Sequence, residues 1–287
     1  MVTKSRISLL SLLLLLFTGC EKNLDSDKVP QFVSKLVITS FLTPGNNINE
    51  VVVSANQPLF GDLETENKPG KLTGFISDGT KEIKLDTLDG KLYFSSRDMK
   101  IIEGKKYSLR IISDKGMEAK SECMVPWSFN SKAEIDTFSV YKNFNGRIYS
   151  VFNTVFSFKD SAGYENYYMV RARQISYKKY SSEGQTYIYD VILGNNIQLY
   201  NDGSAGEDGR IKIPLKIGIH PGSYDSSYLK VYLLNTGKPY YLYHKSLENY
   251  NDGENPFAEP TPVYSNIEGG LGVFSAYLVD SVVFRLF

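Results

Sequence analysis

Cysteine, histidine and tryptophan are the scarcest residues in this chain of 287, with two, two and one copies. Two cysteines, Cys20 and Cys123, cannot staple a disulfide-rich scaffold, and no cluster of His, Cys, Asp and Glu has the grouping of a zinc site. No metal and no cofactor are therefore expected. Lysine plus arginine balance aspartate plus glutamate at 32 each, so the chain has no general electrostatic claim on nucleic acid. A Gly-x-Ser-x-Gly elbow, a phosphate-cradling loop and a dinucleotide fingerprint are all missing. A Ser-His-Asp triad assembled in space would leave no such mark, because its members can lie far apart. Without a recognisable constellation the expectation is a protein that is not an enzyme. A spanning helix needs about 20 apolar residues, and the longest apolar run, Ile7 to Phe17, falls short of that.

That short run is informative. Lys4 and Arg6 precede it and Thr18-Gly19-Cys20 follows it, which is the order of a secretory signal: charged region, apolar region, small-residue cleavage site. Residues 1–19 are expected to be a signal peptide. Phe17-Thr18-Gly19-Cys20 resembles a lipobox, in which the cysteine thiol receives a diacylglycerol and the new amine is acylated, commonly with palmitate. Each buried CH₂ of an acyl chain contributes ~0.8 kcal/mol, and stable anchoring takes more than one chain. An ordinary secretory signal with a chance cysteine is the competing reading. Residues 20–33 read as a polar, lipidated tether.

From there the sequence breaks into short β-rich runs. Lys35 to Leu42, Glu50 to Ala55, Lys71 to Ser77, Lys81 to Leu85, Lys91 to Ser95, Lys105 to Ile112 and Met117 to Val125 are separated by turns that include Asp78-Gly79, Asp89-Gly90 and Lys115-Gly116. Such spacing predicts an antiparallel β-sandwich over residues 34–127. Cys123 falls in an alternating run, where burial as a small apolar residue is commoner than a reactive role. After Pro126-Trp127 the runs lengthen and tyrosine becomes frequent, predicting a second, larger, mainly β domain over residues 128–287. Phe152, Phe156 and Phe158 share one face of a strand there. Tyr240 to Tyr250 is the one helix candidate, with Pro239 suited to a first turn and Tyr240, Tyr243, His244 and Leu247 at helical spacing. A terminal strand, Val273 to Phe287, closes the chain.

Tyr240-Tyr241-Leu242-Tyr243-His244-Lys245-Ser246-Leu247 and the segment from Asn255 to Tyr277 are the most distinctive stretches. They resemble the C-terminal signature of a family of Bacteroidota outer-membrane lipoproteins of unknown function, whose genes often lie near those of TonB-dependent receptors. The likeness extends more weakly to Lys35 to Leu42 and Gly104 to Leu109. The resemblance implies an immunoglobulin-like or transthyretin-like sandwich followed by a second mainly β domain, and carries over no catalytic residue. In similar lipoproteins, acidic residues soon after the lipidated cysteine favour the outer face of the outer membrane. Glu21, Asp25 and Asp27 suit that loosely, whereas Lys22 departs from it.

Three segments are weighed as sites. Asn255, Pro256, Phe257, Glu259, Pro260, Asn266, Gly269 and Gly270 form a loop whose prolines force extended backbone and whose glycines admit unusual φ. Its role is structural, or else it is a ligand or partner loop, since ordered loops often carry function. Asp202, Glu207 and Asp208 lie in an oxygen-rich loop that could offer calcium some ligands, but a solvated hairpin explains the composition better. Tyr164, Tyr167, Tyr168, Tyr177, Tyr180, Tyr187, Tyr189 and Tyr200 suggest a binding platform or, more simply, strand packing. The expectation for the whole is a lipid-anchored, cell-surface protein of the outer membrane, held there through lipid on Cys20. It would serve as a non-enzymatic accessory to a TonB-dependent transporter, capturing ligand or acting as a lid. A structural or adhesive protein binding another envelope protein is the alternative, and an enzyme acting on a surface polymer is a third reading.

Overall fold

Alternation of side chains sets most of the strands. In the computed structural model, the described residues are 32–58, 67–128, 131–144, 147–161, 163–180, 183–191, 198–219, 222–251 and 262–287. The strands are β1 (Leu36–Leu42), β2 (Ile48–Ala55), β3 (Leu72–Ser77), β4 (Glu82–Lys84), β5 (Asp86–Leu88), β6 (Lys91–Ser95), β7 (Lys106–Ser113) and β8 (Glu118–Met124). They continue as β9 (Glu134–Phe144), β10 (Arg147–Lys159), β11 (Tyr167–Tyr180), β12 (Glu183–Val191), β13 (Leu199–Asn201), β14 (Arg210–Ile219), β15 (Ser226–Thr236) and β16 (Leu271–Arg285). One helix, α1 (Lys238–Asn251), lies between β15 and β16. The protein is mainly β, with a single short α-helix among the described residues, as the sequence predicts.

Two sandwiches share one sheet. A nine-stranded sheet runs β12-β11-β15-β16-β1-β2-β6-β5 with β13 beside β11; β4-β3-β7-β8 and β14-β10-β9 form smaller sheets. Leu36, Ile38, Val51, Leu92 and Phe94 from the large sheet meet Ile76, Tyr107, Leu109 and Ile111 from the four-stranded one in a single core. Farther along the large sheet, Tyr168, Val170, Leu229 and Val231 meet Phe156, Phe158, Ile211 and Ile213 in a second core. Phe152, Phe156 and Phe158 do share the buried face of β10. Cys123 is buried in the first core, and burial pushes its thiol pKa up, which keeps it protonated and unreactive.

Several turns follow directly from residue type. Asp89 and Gly90 both have positive φ, 50° and 75°, as a two-residue hairpin with right-handed strand twist requires. Asp78 Oδ1 accepts the backbone N–H groups of Thr80 and Lys81 at 2.9 and 2.8 Å, and its other oxygen takes Lys105 Nζ at 2.6 Å. These bonds, the Lys105 one foremost, hold its carboxyl far below the usual range. Tyr107 is wholly buried, and its hydroxyl donates to Lys100 O at 2.8 Å and accepts from Ile102 N at 2.9 Å. A tyrosine bonded to upstream backbone is also a fastening of immunoglobulin sandwiches.

Two features depart from the seven-stranded antiparallel sandwich expected from sequence, one a parallel pairing and the other an added strand. β1 pairs in parallel with β16, from Val37 opposite Leu271 to Leu42 opposite Ala276. β16 then pairs antiparallel with β15, from Tyr277 opposite Thr236 to Arg285 opposite Tyr228, so the last strand joins the two halves of the sheet. An eighth strand, β5, also joins the first half; all three of its residues are exposed, so no buried face marks it.

Helix α1 starts two residues earlier than its spacing predicts. Ser275 Oγ, from the first half of β16, accepts the backbone N–H of Tyr240 at 3.1 Å, satisfying one of the orphan donors of the first turn. Tyr240 and Tyr241 are buried against Tyr167, Met169 and Leu234, on the face of β11 and β15 opposite the second core. Residues Tyr167 to Val170 are consequently all buried, because both sides of the sheet are covered there.

His244 packs among rings, with centroids 4.3 Å from Tyr240 and 5.7 Å from Phe41, and its buried Nε2 has no hydrogen-bond partner. Burial, and secondarily the positive charge of Arg171, lower its pKa from an ordinary 6.5. As pH falls below about 6.5 the unfolded chain therefore takes up a proton that the folded one refuses, and stability drops until the folded value is passed. His244→Phe is expected to shrink the difference in thermal midpoint between about pH 7.5 and about pH 5.5. An unchanged difference in the variant would show that His244 does not contribute.

Candidate functional site

Three chain connections converge where β8, β11 and β15 meet the helix. Pro126-Trp127-Ser128 leaves β8, the turn from Ser161 to Asn166 enters β11, and Thr236-Gly237-Lys238 passes from β15 into α1. Between them lies a cleft of about 570 Å³, within the size range of small-ligand sites. Its most exposed rings are Trp127, 64% accessible, and Tyr164, 76% accessible.

Each connection is tied down. A Cβ at residue 104 would stand 1.9 Å from the Trp127 ring, so only glycine lets the indole settle there, and Gly104 also has φ +66°. Asn235 Nδ2 donates to Trp127 O at 2.9 Å, and Ser128 N donates to Glu103 Oε2 at 3.0 Å. The Tyr164 turn is braced from within. Asn166 Nδ2 donates to Ser161 O at 2.6 Å and to Tyr164 O at 2.9 Å, while its backbone N–H donates to Asp202 Oδ1 at 2.8 Å. Beneath the turn, the buried Tyr168 hydroxyl donates to Asp160 Oδ1 at 2.7 Å.

The charged groups of the cleft are paired. Glu165 accepts the Tyr167 hydroxyl and, through both oxygens, Lys238 Nζ at 3.2 and 3.1 Å. These bonds, with Tyr167 first, lower the Glu165 pKa, and Tyr167 first and then Glu165 raise that of Lys238. Glu165 is the one carboxylate among the described residues lining the cleft. It remains ionised at neutral pH, an acceptor rather than a proton donor.

The residues singled out from sequence are dispersed. Cys20 and the loop residues Asn255, Pro256, Phe257, Glu259 and Pro260 lie outside the described residues. Asn266, Gly269 and Gly270 are described and serve the main chain. Asn266 exchanges two hydrogen bonds with the backbone of Phe274, at 2.8 and 3.0 Å, and its carbonyl accepts from Ser121 Oγ at 2.8 Å. Cβ atoms at Gly269 and Gly270 would come within 2.5 Å of Glu118 O and 2.8 Å of Leu36 O. This stretch packs β16 onto β8 and β1, away from the cleft.

The eight tyrosines also separate. Tyr167 and Tyr168 are buried, Tyr200 packs partly buried against the second core, and Tyr164 stands in the cleft. Tyr177, Tyr180, Tyr187 and Tyr189 belong to the β11–β12 hairpin, where Tyr189 and Tyr224 share a hydroxyl contact at 2.9 Å. Asp202 and Asp208 of the oxygen-rich loop are engaged by Asn166 N and by Lys212 Nζ at 2.7 Å. No group of three His, Cys, Asp or Glu residues comes together at metal distance among the described residues.

The cleft itself escaped sequence reasoning, because its parts are far apart along the chain. Its visible trace was a lone tryptophan after a proline at a strand end. No curated protein matches the chain. The model of a domain of unknown function, DUF4249, matches residues 22–282, and the chain belongs to that family.

Proposed function

We propose that this protein is a non-enzymatic lipoprotein of the outer-membrane surface in Bacteroidota, anchored through Cys20, that captures a ligand for a TonB-dependent transporter. The observation that carries the capture role is the cleft at Trp127 and Tyr164, where two exposed rings are held on braced connections. Exposed aromatic rings on a rigid support are costly to leave in water and useful for binding. Hydrolysis of a glycan takes two carboxyl groups facing one another, and the single Glu165, kept ionised, supports binding over catalysis. The anchor and the transporter link rest on the lipobox-like Phe17 to Cys20 and on the likeness to lipoproteins encoded beside such receptors.

Nutrient uptake in a deletion strain tests this reading. The expected result is a defect restored by the wild-type gene and only poorly by a Trp127→Ala gene. Normal uptake on every substrate the parent strain consumes would overturn it.

One feature favours a structural or adhesive role instead. Among the described residues β12 pairs only with β11, through Ala172 to Tyr180, and Ile188 and Tyr189 on it are exposed. An open strand edge bearing apolar side chains can take an extended segment of another protein. Under that role the deletion strain would lose surface adhesion and keep uptake intact.

A further inference from the structure

We infer that the ligand of the Trp127 cleft is a neutral sugar ring within an oligosaccharide; this rests on the capture reading above. Three observations select that class.

The first is shape. Trp127 is fixed against Gly104 and by the bonds to its flanking main chain, yet 64% of it remains accessible, and Tyr164 is accessible to 76%. Such rings offer flat apolar platforms with a negative face, which attracts the slightly positive C–H groups on one side of a pyranose.

The second is the polar rim. Glu165 has acceptor capacity left after its bonds to Tyr167 and Lys238, since a carboxylate offers about four lone-pair sites. Lys238 Nζ carries three protons, and the hydroxyls of Ser128 and Ser161 also border the cleft. Donors and acceptors beside an apolar platform complement a ring whose edge is hydroxyl groups and whose face is hydrocarbon. A purely aromatic ligand would strip water from the donors and acceptors these groups have left over and pair none of them, at roughly 1–3 kcal/mol each.

The third is charge and backbone. Glu165 and Lys238 neutralise one another at 3.1 Å, so the cleft presents no net charge to draw an acidic or basic ligand. An extended peptide would need an unpaired strand edge. Among the described residues, the strands of the cleft floor have both edges taken: β11 at Tyr167 is flanked by Asn201 and Thr236, and β15 at Thr236 by Tyr167 and Tyr277. The edge strand β8 reaches the cleft through its last residue, Met124, which is too little edge to pair a peptide.

Trp127 is the only tryptophan of the chain, so indole fluorescence, excited at the red edge where the 21 tyrosines hardly absorb, reports on this cleft alone. The mature lipidated protein, in detergent micelles, is titrated with maltohexaose, cellohexaose, xylohexaose and mannohexaose, and with an oligogalacturonate as an acidic probe. At least one neutral oligosaccharide is expected to change the emission saturably and to protect the indole from acrylamide, while the acidic one does not. Calorimetry with the same sugar should show affinity falling at least about tenfold in both Trp127→Ala and Tyr164→Ala. Tyr164 is so exposed that its variant should fold even if the Trp127 variant does not, and circular dichroism checks both. No saturable change with any neutral oligosaccharide up to about 10 mM, preference for the acidic probe, or undiminished binding in Tyr164→Ala would overturn the proposal. Binding without an uptake phenotype would leave the sugar site standing and remove the transporter role; an uptake defect without sugar binding would do the reverse.

Discussion

Gly272→Ala should destabilise the protein by more than about 3 kcal/mol, a cost in the range reserved for backbone collisions and buried disruptions. Gly272 sits in the parallel ladder opposite Ile38 with φ +102°. A Cβ there would stand 2.0 Å from Ile38 O, which belongs to the main chain of β1 and cannot rotate away. Relief requires parting β1 from β16, the strand that joins the two halves of the large sheet. Gly45→Ala is the matched control. Its φ of +86° is also unfavourable to alanine, but nothing lies within 4 Å of a Cβ there, so only the conformational cost of about 1–2 kcal/mol applies. Thermal or urea unfolding of both variants measures the contrast. Equal losses would mean that the β1–β16 contact contributes little.

Cys20→Ala should abolish palmitate incorporation and release the protein from the membrane fraction, or leave an uncut precursor held by its signal. The proposed anchor is several acyl chains on one residue, and removing their attachment removes all of that affinity at once. The cores that define the fold begin at Leu36, so circular dichroism of the released protein should still show β structure. Metabolic labelling with palmitate, followed by fractionation, measures the effect. Undiminished labelling and membrane retention after signal cleavage would refute the anchor.

Much of the first sandwich was legible because one face of each strand is buried and the other wet. β8 alternates without a break from Glu118 to Met124, and β7 does so from Lys106 to Ser113. Asp-Gly pairs marked turns at residues 78–79 and 89–90, and for Asp89-Gly90 the positive φ values give the reason. Legibility failed where that simple condition fails. β11 alternates poorly at Tyr167 to Val170 since the helix covers one side and the second core the other. The helical spacing singled out Tyr240, Tyr243, His244 and Leu247 but passed over Tyr241, which is buried with its ring 4.9 Å from that of Tyr167. The parallel pairing of β1 with β16 joins opposite ends of the chain, and no local pattern encodes a partner so remote.

The candidate site was less legible than the fold for the same reason. Asn266, Gly269 and Gly270 stand out in sequence because they meet backbone at close range, a demand that restricts residue type sharply whether or not a ligand is bound. The Trp127 cleft makes no local demand except at Gly104. Its rings and its ion pair come from connections that meet only once β8, β11 and β15 are assembled.

The central claim, that this protein works with an outer-membrane transporter, is tested most directly by co-purification from membranes solubilised in mild detergent. The tagged, lipidated protein should bring down one TonB-dependent barrel in near-stoichiometric amount, and Cys20→Ala should recover far less of it. Recovery of the wild-type protein alone, with no outer-membrane barrel at any detergent tried, would contradict the account.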